Sequence, residues 1–434
     1  MKMTDIYEIA EYTLKALKNC GADAAQCIVG RSKKDELNVD GGKFSLMRST
    51  FNTSISMKAI KDGKKGVTSI NQATKEAIDE AAAQCIAAAE SSVPDETEQI
   101  ASFTAKVEYK TGVFEPDLNK LFDRIEEFMS QTKKEYPKVI LEQLISDYEH
   151  SEKLYMNTNG TSLRYEHGEY SFNTMFSAHE GEKASSFNGY FCALDNLDKP
   201  FMDAGMQRQL LEESEKQLNT VSPSEKFVGK VIYSPDCFNE LLQTALENFA
   251  SSGVLIDGTS PWKDALNTKV ASEKLNLRSV PLDGRTVVGQ RFTSDGYPAE
   301  NMDIIVDGVL KTFILSQYGA NKTGFPRALN GGNNLEVLPG DKTLEEMISG
   351  IDRGLIVNRF SGGQPSSNGD FSGVAKNSFL IENGKVSSAV SETMISGNII
   401  DMLNNIVAIS KEQTTDGLSF MPWAEFDGVT VSGK

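Results

Sequence analysis

Gly369-Asp370-Phe371-Ser372-Gly373, then Ser378-Phe379-Leu380-Ile381-Glu382-Asn383-Gly384-Lys385, then Ile395-Ser396-Gly397-Asn398-Ile399-Ile400-Asp401-Met402-Leu403-Asn404-Asn405-Ile406, form the most structured reading in this chain. Physically it is a glycine-rich loop, a tight hairpin with Asn-Gly turn chemistry and a short amphipathic helix. The same style extends upstream for about 180 residues, where Gly, Asn and Asp turns such as Val306-Asp307-Gly308-Val309 separate short apolar strands. The pattern predicts a C-terminal domain over 225–434, mostly antiparallel β, as a barrel-like or curved sheet. It opens with a strand, Phe227–Tyr233. Ser234 (N-cap) and Pro235 (first turn) then start a helix predicted to run to Phe249.

Two further units precede it. Thr4 or Asp5 can cap a helix to about Asn19, closed by Gly21. Asp40-Gly41-Gly42 and Asp62-Gly63 are hairpin turns between strand-like runs, and an alanine-rich helix is predicted over about Gln72–Ala89. These elements make a small N-terminal α/β-sandwich-like domain, 1–92. Residues 91–110 are polar with one proline and are expected to be a linker. Leu118, Leu121, Phe122, Ile125, Phe128 and Met129 mark an amphipathic helix. Strands over Val139–Leu194, with an Asn157-Thr158-Asn159-Gly160 turn, and a helix over Asp203–Leu218 complete a middle α+β domain, 110–222. Ser222-Pro223-Ser224 is the next expected boundary. The fold class is therefore α+β.

Hydrophobic residues at 39% and charged residues at 24% of 434 describe an ordinary globular chain. The 61 acidic and 44 basic residues leave a net charge of −17. Such a field repels phosphate backbones, so direct nucleic-acid binding is not expected. The one dense basic patch, Lys58, Lys61, Lys64 and Lys65, flanks a turn and is read as a solvated hairpin face. No apolar run has signal-peptide or membrane-spanning length. Five scattered cysteines without a C-x-x-C pair suit a reduced, cytoplasmic protein.

Direct tests for chemistry find little. His150, His167 and His179 are the only histidines, and no two share a helix face. Cys237 sits near a helix start, where the dipole lowers a thiol pKa, but a buried structural thiol is the better reading. Ser372 and Lys376 are spaced for a conceivable Ser–Lys dyad. Gly340-Asp341-Lys342-Thr343 ends like a phosphate loop, yet reads better as a capping box of Thr343 with Glu346. The stretch Ser361–Asp370 suits a surface loop beside a functional cleft.

The ordered C-terminal set quoted above resembles the TldD/PmbA family, also called modulators of DNA gyrase. Gly21-Ala22-Asp23-Ala24-Ala25 and Asn157-Thr158-Asn159-Gly160 resemble its first and middle domains. In the family's peptidase branch, a helix carries H-E-x-x-x-H, whose histidines bind zinc and whose glutamate acts on the bound water. A cysteine ligand follows towards the C-terminus. Here the matching positions are Gln243, Thr244 and Asn248, and no cysteine follows Cys237. The resemblance therefore implies the PmbA/TldE branch: a metallopeptidase-family member inactive on its own, with no cofactor in this chain and zinc in a TldD-type partner. It implies a cytoplasmic peptidase complex acting on unfolded peptides or peptide precursors, with a homodimer as an option for the isolated chain. Gly369, Asp370, Phe371, Ser372 and Asn398 are then the expected substrate-binding residues. The alternative is a scaffold or regulatory protein acting on gyrase or a toxin–antitoxin system.

Overall fold

A computed structural model describes residues 3–223, 225–391 and 393–433; Ser224 of the expected boundary lies outside the described residues. The N-terminal half contains α1 (Ile6–Asn19), β1 (Ala24–Asp40), β2 (Lys43–Lys61), β3 (Lys64–Ile70), α2 (Lys75–Ser91), β4 (Lys106–Gly112), α3 (Leu118–Glu135), β5 (Val139–Asn157), β6 (Ser162–Glu180), β7 (Lys183–Ala184), β8 (Asn188–Leu194) and α4 (Gln207–Lys216). Asp5 caps α1 by accepting from the Glu8 amide, and Gly21 at φ +99° follows its end. Thr74 caps α2 in the same way through the Ala77 amide.

Four strands of this half are 17 to 19 residues long. They form one sheet in the order β3-β2-β1-β5-β6-β4, with β7 and β8 also on β6. β1 and β5 pair antiparallel from Gln26↔Asn157 to Asp40↔Gln143. The segments 1–92 and 110–222 therefore share a single sheet across this seam. The expected linker is a correction. Asp95 donates its amide to the Gly63 carbonyl and pairs with Lys322 at 2.9 Å; Ile100 and Ala101 are buried; β4 adds in parallel to β6. Proline and polar composition signalled a break, but long-range pairing fixed the segment.

The C-terminal half begins after β9 (Thr220–Val221) with β10 (Phe227–Tyr233) and α5 (Pro235–Ala250). Among the described residues, fourteen strands, β9 included, form one mixed sheet here. β10 runs parallel to Arg353–Val357 and antiparallel to the last strand, Phe420–Ser432. That last strand also pairs antiparallel with Ile406–Thr415 and Thr393–Asn398. Ser234 caps α5, Pro235 occupies its first turn, and Phe238, Leu241, Leu242, Ala245, Leu246 and Phe249 form its buried face. That spacing of three and four residues is the amphipathic helix stripe.

The halves are joined by a common core. Phe172, Phe176 and Leu211 of the first pack in one cluster with Ile232, Ile356, Phe379 and Trp423 of the second. Polar ties cross the same junction: Gln26 Nε2 donates to the Ser294 carbonyl (3.2 Å) and Gln217 Nε2 to the Ser378 carbonyl (2.9 Å).

Candidate functional site

α5 separates two concave spaces. Asn239 and Gln243 border a cleft of about 730 Å³ between the N-terminal sheet and the C-terminal half. Cys237, Glu240 and Thr244 border a smaller pocket of about 330 Å³ beneath the loop at Gly362–Pro365. Asn248 lines neither wall. Positions five apart on an α-helix are rotated by about 140°, so Gln243 and Asn248 diverge. Thr244 Oγ1 donates to the Glu240 carbonyl at 2.7 Å, and Gln243 Nε2 reaches Asn239 Oδ1 at 3.4 Å. Two neutral amides and an internally bonded hydroxyl do not fit a zinc ion, which takes thiolate, imidazole or carboxylate. Among the described residues, no group of three or more His, Cys, Asp or Glu side chains is arranged to hold a metal.

The floor of the larger cleft is one row of the sheet. Ser54, Gly30, Lys153 and Tyr165 lie directly opposite one another on β2, β1, β5 and β6. Gly30 leaves the floor open, since a Cβ there would come within 2.7 Å of Ser54 Oγ. The facing wall carries Arg291, Phe292, Asn333, Asn334 and Ser419. Asp416, also on that wall, is held by the amides of Leu418 and Ser419 at 2.8 and 2.7 Å. Lys153 and Arg291 were not singled out from sequence. They come from segments far apart in the chain, and no spacing marks them.

Outside the cleft, β2 has one neighbour along much of its length. β3 covers Ile55–Lys61, so among the described residues Lys43–Ser54 pairs only with β1. Met47 and Phe51 on this stretch are 73% and 74% exposed. The stretch ends at Asn52, Thr53 and Ser54, which enter the cleft.

The glycine-rich residues expected to bind substrate form a closed hydrogen-bonded knot. Asp370 accepts from Asn398 Nδ2 and Asn368 Nδ2, both at 2.9 Å. Asn398 Oδ1 also caps the helix Ile399–Asn404 through the Ile400 amide, and the Ile399 amide donates to the Gly369 carbonyl. Gly369 has φ +93° and lies against Phe249. Phe371 is buried edge-on to Phe360 and lines the smaller pocket. Ser372 is exposed on the strand Asp370–Lys376. Ser372 and Lys376 sit four residues apart on that one strand, roughly 13 Å, too far for a dyad. Thr343 and Glu346 form the expected capping box.

Titratable groups follow burial. The Cys237 thiol is buried and pushed well above its ordinary pKa by burial, with Glu240 adding to it, which disfavours the thiolate a nucleophile needs. Asp236 is pushed up to about 6, first by burial and then by Asp416 and Glu240. Burial likewise raises Glu240. Away from α5, Glu169 is pushed up to about 8 by burial, then by Glu149 and Asp147. His167 beside it is pushed down by burial, and the pair approach to 3.2 Å without hydrogen-bond geometry. His150 pairs with Glu166 at 3.0 Å, and His179 bonds Ser177 Oγ at 2.9 Å. Lys58 and Lys65 pair with Glu98, Lys61 pairs with Glu90, and Lys64 donates to the Glu90 carbonyl, so two carboxylates partly offset the basic patch. No helix among the described residues is long and apolar enough to cross a membrane.

Residues 226–433 match the family model described as the PmbA/TldA metallopeptidase C-terminal domain, and 25–89 match PmbA/TldA metallopeptidase domain 1. Among curated proteins, the chain is 28% identical over 212 residues to a metalloprotease of Methanocaldococcus jannaschii, 45% of this chain and 46% of that one. It is 31% identical over 155 residues to metalloprotease PmbA of Escherichia coli, 35% and 34% of the two chains. The matched stretch thus spans about half the length of these relatives or less. Among solved structures, TldE from Thermococcus kodakarensis superposes with a TM-score of 0.82 at 22% identity, covering 98% of this chain and 100% of that one. A putative modulator of DNA gyrase from Bacteroides thetaiotaomicron gives 0.82 at 23%, covering 100% of both. These two likenesses establish a common fold.

Proposed function

From the premise that this chain belongs to the PmbA/TldD metallopeptidase family, we propose that it is the non-catalytic, TldE-type subunit of a peptidase complex. The catalytic zinc belongs to a TldD-type partner, and this chain helps enclose and hold unfolded peptide in the cytoplasm. One observation carries the reading. Gln243 stands on the wall of the large cleft at the place where the resemblance puts a zinc-binding histidine. The cleft persists while its metal chemistry does not.

The open stretch of β2 supports the peptide-holding part. An extended segment added along Lys43–Ser54 gains backbone hydrogen bonds regardless of sequence, which suits unfolded substrates. Of the residues expected to bind substrate, Phe371 lines the smaller pocket, Gly369, Asp370 and Asn398 fix the loop beside it, and Ser372 is exposed on the strand that follows.

The test is metal analysis and peptide cleavage by the chain alone and mixed with its cellular TldD-type partner. The expected result is no stoichiometric zinc and no cleavage alone, with cleavage in the mixture. Chelator-sensitive hydrolysis by the purified chain alone overturns the reading.

A further inference from the structure

Three cationic side chains, Arg31, Lys153 and Arg291, line the large cleft of a molecule whose net charge is −17. Among the described residues their partners are carbonyls, a phenol and rings. Arg31 donates to the Thr4 carbonyl, and Arg291 donates to the Pro281 carbonyl at 3.1 Å. The Arg291 guanidinium also lies 5.8 Å from the Tyr165 ring centre, and Lys153 Nζ lies 5.9 Å from that of Phe292. The carboxylates in the same space are engaged elsewhere. Glu152 accepts from Arg164 at 2.7 Å, and Asp416 accepts from the Leu418 and Ser419 amides. Lys153 is accessible, yet the surrounding walls desolvate it enough to depress its pKa. A desolvated ammonium gains most from an anion that enters with a ligand.

The chemistry selects a small anion. Screening in physiological salt confines each cation's reach to about 8 Å, so a polyanion meets the molecule's overall negative field before it meets these groups. A guanidinium matches a carboxylate in planar, two-point geometry. The open edge of β2 leads to the same place. Ser54, at the end of that edge, is two strands from Lys153, and a strand added to the edge is three away, roughly 14 Å, so a peptide leaving the edge at Ser54 reaches the ammonium by continuing across the cleft floor.

We propose that this cleft recognises a carboxylate of the bound peptide, C-terminal or side-chain, through Lys153 and Arg291, with Arg31 adding charge at the rim. The inference rests on the peptide-holding reading above. Its test uses the full chain, alone and with a TldD-type partner, and a short unstructured peptide labelled at its N-terminus. Forms of the peptide differ only in a free or amidated C-terminus and in Asp or Asn near that end. Fluorescence anisotropy should give about tenfold tighter binding for whichever carboxylate is read than for the amidated, Asn-bearing form. Lys153→Met or Arg291→Met should erase that difference, while Arg291→Lys, which keeps the charge and loses the two-point geometry, retains part of it. Dependence on the free C-terminus identifies the terminal carboxylate, and dependence on Asp identifies a side chain. Equal binding of all forms, or a difference that survives Lys153→Met, overturns carboxylate recognition alone. Failure of every form to bind, with and without partner, overturns the peptide-holding reading and this inference together.

Discussion

At the scale of single residues, Gln243, Thr244 and Asn248 make the family reading testable. Restoring the motif by Gln243→His, Thr244→Glu and Asn248→His together should not create stoichiometric zinc binding, because the cysteine ligand towards the C-terminus is still missing: no cysteine follows Cys237. Plasma emission analysis after dialysis against zinc checks this, and one zinc per chain would sink the argument. Glu169 gives a second prediction. Its carboxyl keeps its proton to about pH 8, whereas in the unfolded chain it loses it near 4.5. The unfolded state therefore binds fewer protons across that window, and stability falls from pH 4.5 to about 8. His167, pushed below 6.5, acts on the acid side in the opposite sense. Glu169→Gln should stabilise the protein by roughly 3–4 kcal/mol at pH 8 relative to pH 5, read from urea midpoints. A pH-independent difference would contradict it. Residue chemistry was legible where it was local: Ser234 and Pro235, Thr343 and Glu346, Asn383 and Gly384 each announce their turn within four positions. Arg31, Lys153 and Arg291 were not, because only the folded sheet brings them to one cleft.

At the scale of elements, close backbone approaches decide what is tolerated. Gly66 on β3 faces α2 so tightly that a Cβ would lie 1.9 Å from the Cys85 carbonyl oxygen and 2.7 Å from the Ala89 nitrogen. Gly66→Ala should therefore push the helix off the sheet and destabilise by about 1–3 kcal/mol or more. Thermal denaturation checks it, and an unchanged midpoint would show that the helix slides freely. Phe249→Ala removes a fully buried ring that touches Trp262 and backs Gly369, and should lose about 3–5 kcal/mol. The strands themselves were legible as runs, but not their union. The polar run Arg31-Ser32-Lys33-Lys34-Asp35-Glu36 is the middle of β1. Its charges are satisfied across the sheet, as when Lys34 bridges Asp147 and Glu149 at 3.4 and 3.1 Å. Partners more than a hundred residues away leave no periodic signal in either segment.

At the scale of the whole molecule, the shared core predicts cooperative behaviour. A fragment ending at residue 222 loses Ile232, Ile356, Phe379 and Trp423 from the cluster around Phe172 and Phe176. Calorimetry of the full chain should show one main transition, and the fragment should fail to give a folded near-ultraviolet spectrum. Two well-separated transitions would mean the halves are independent. Conversely, the long β1–β2 hairpin carries a hazard. Unpaired backbone groups beside exposed Met47 and Phe51 form a template on which any other extended chain can grow, including another copy of this one. Lys43 and Arg48 on the same strand act as gatekeepers, and the surplus negative charge keeps copies apart. If the proposed partner covers that edge, chain made in excess of the partner is the fraction most exposed to aggregation, so the dosage of the two should be matched.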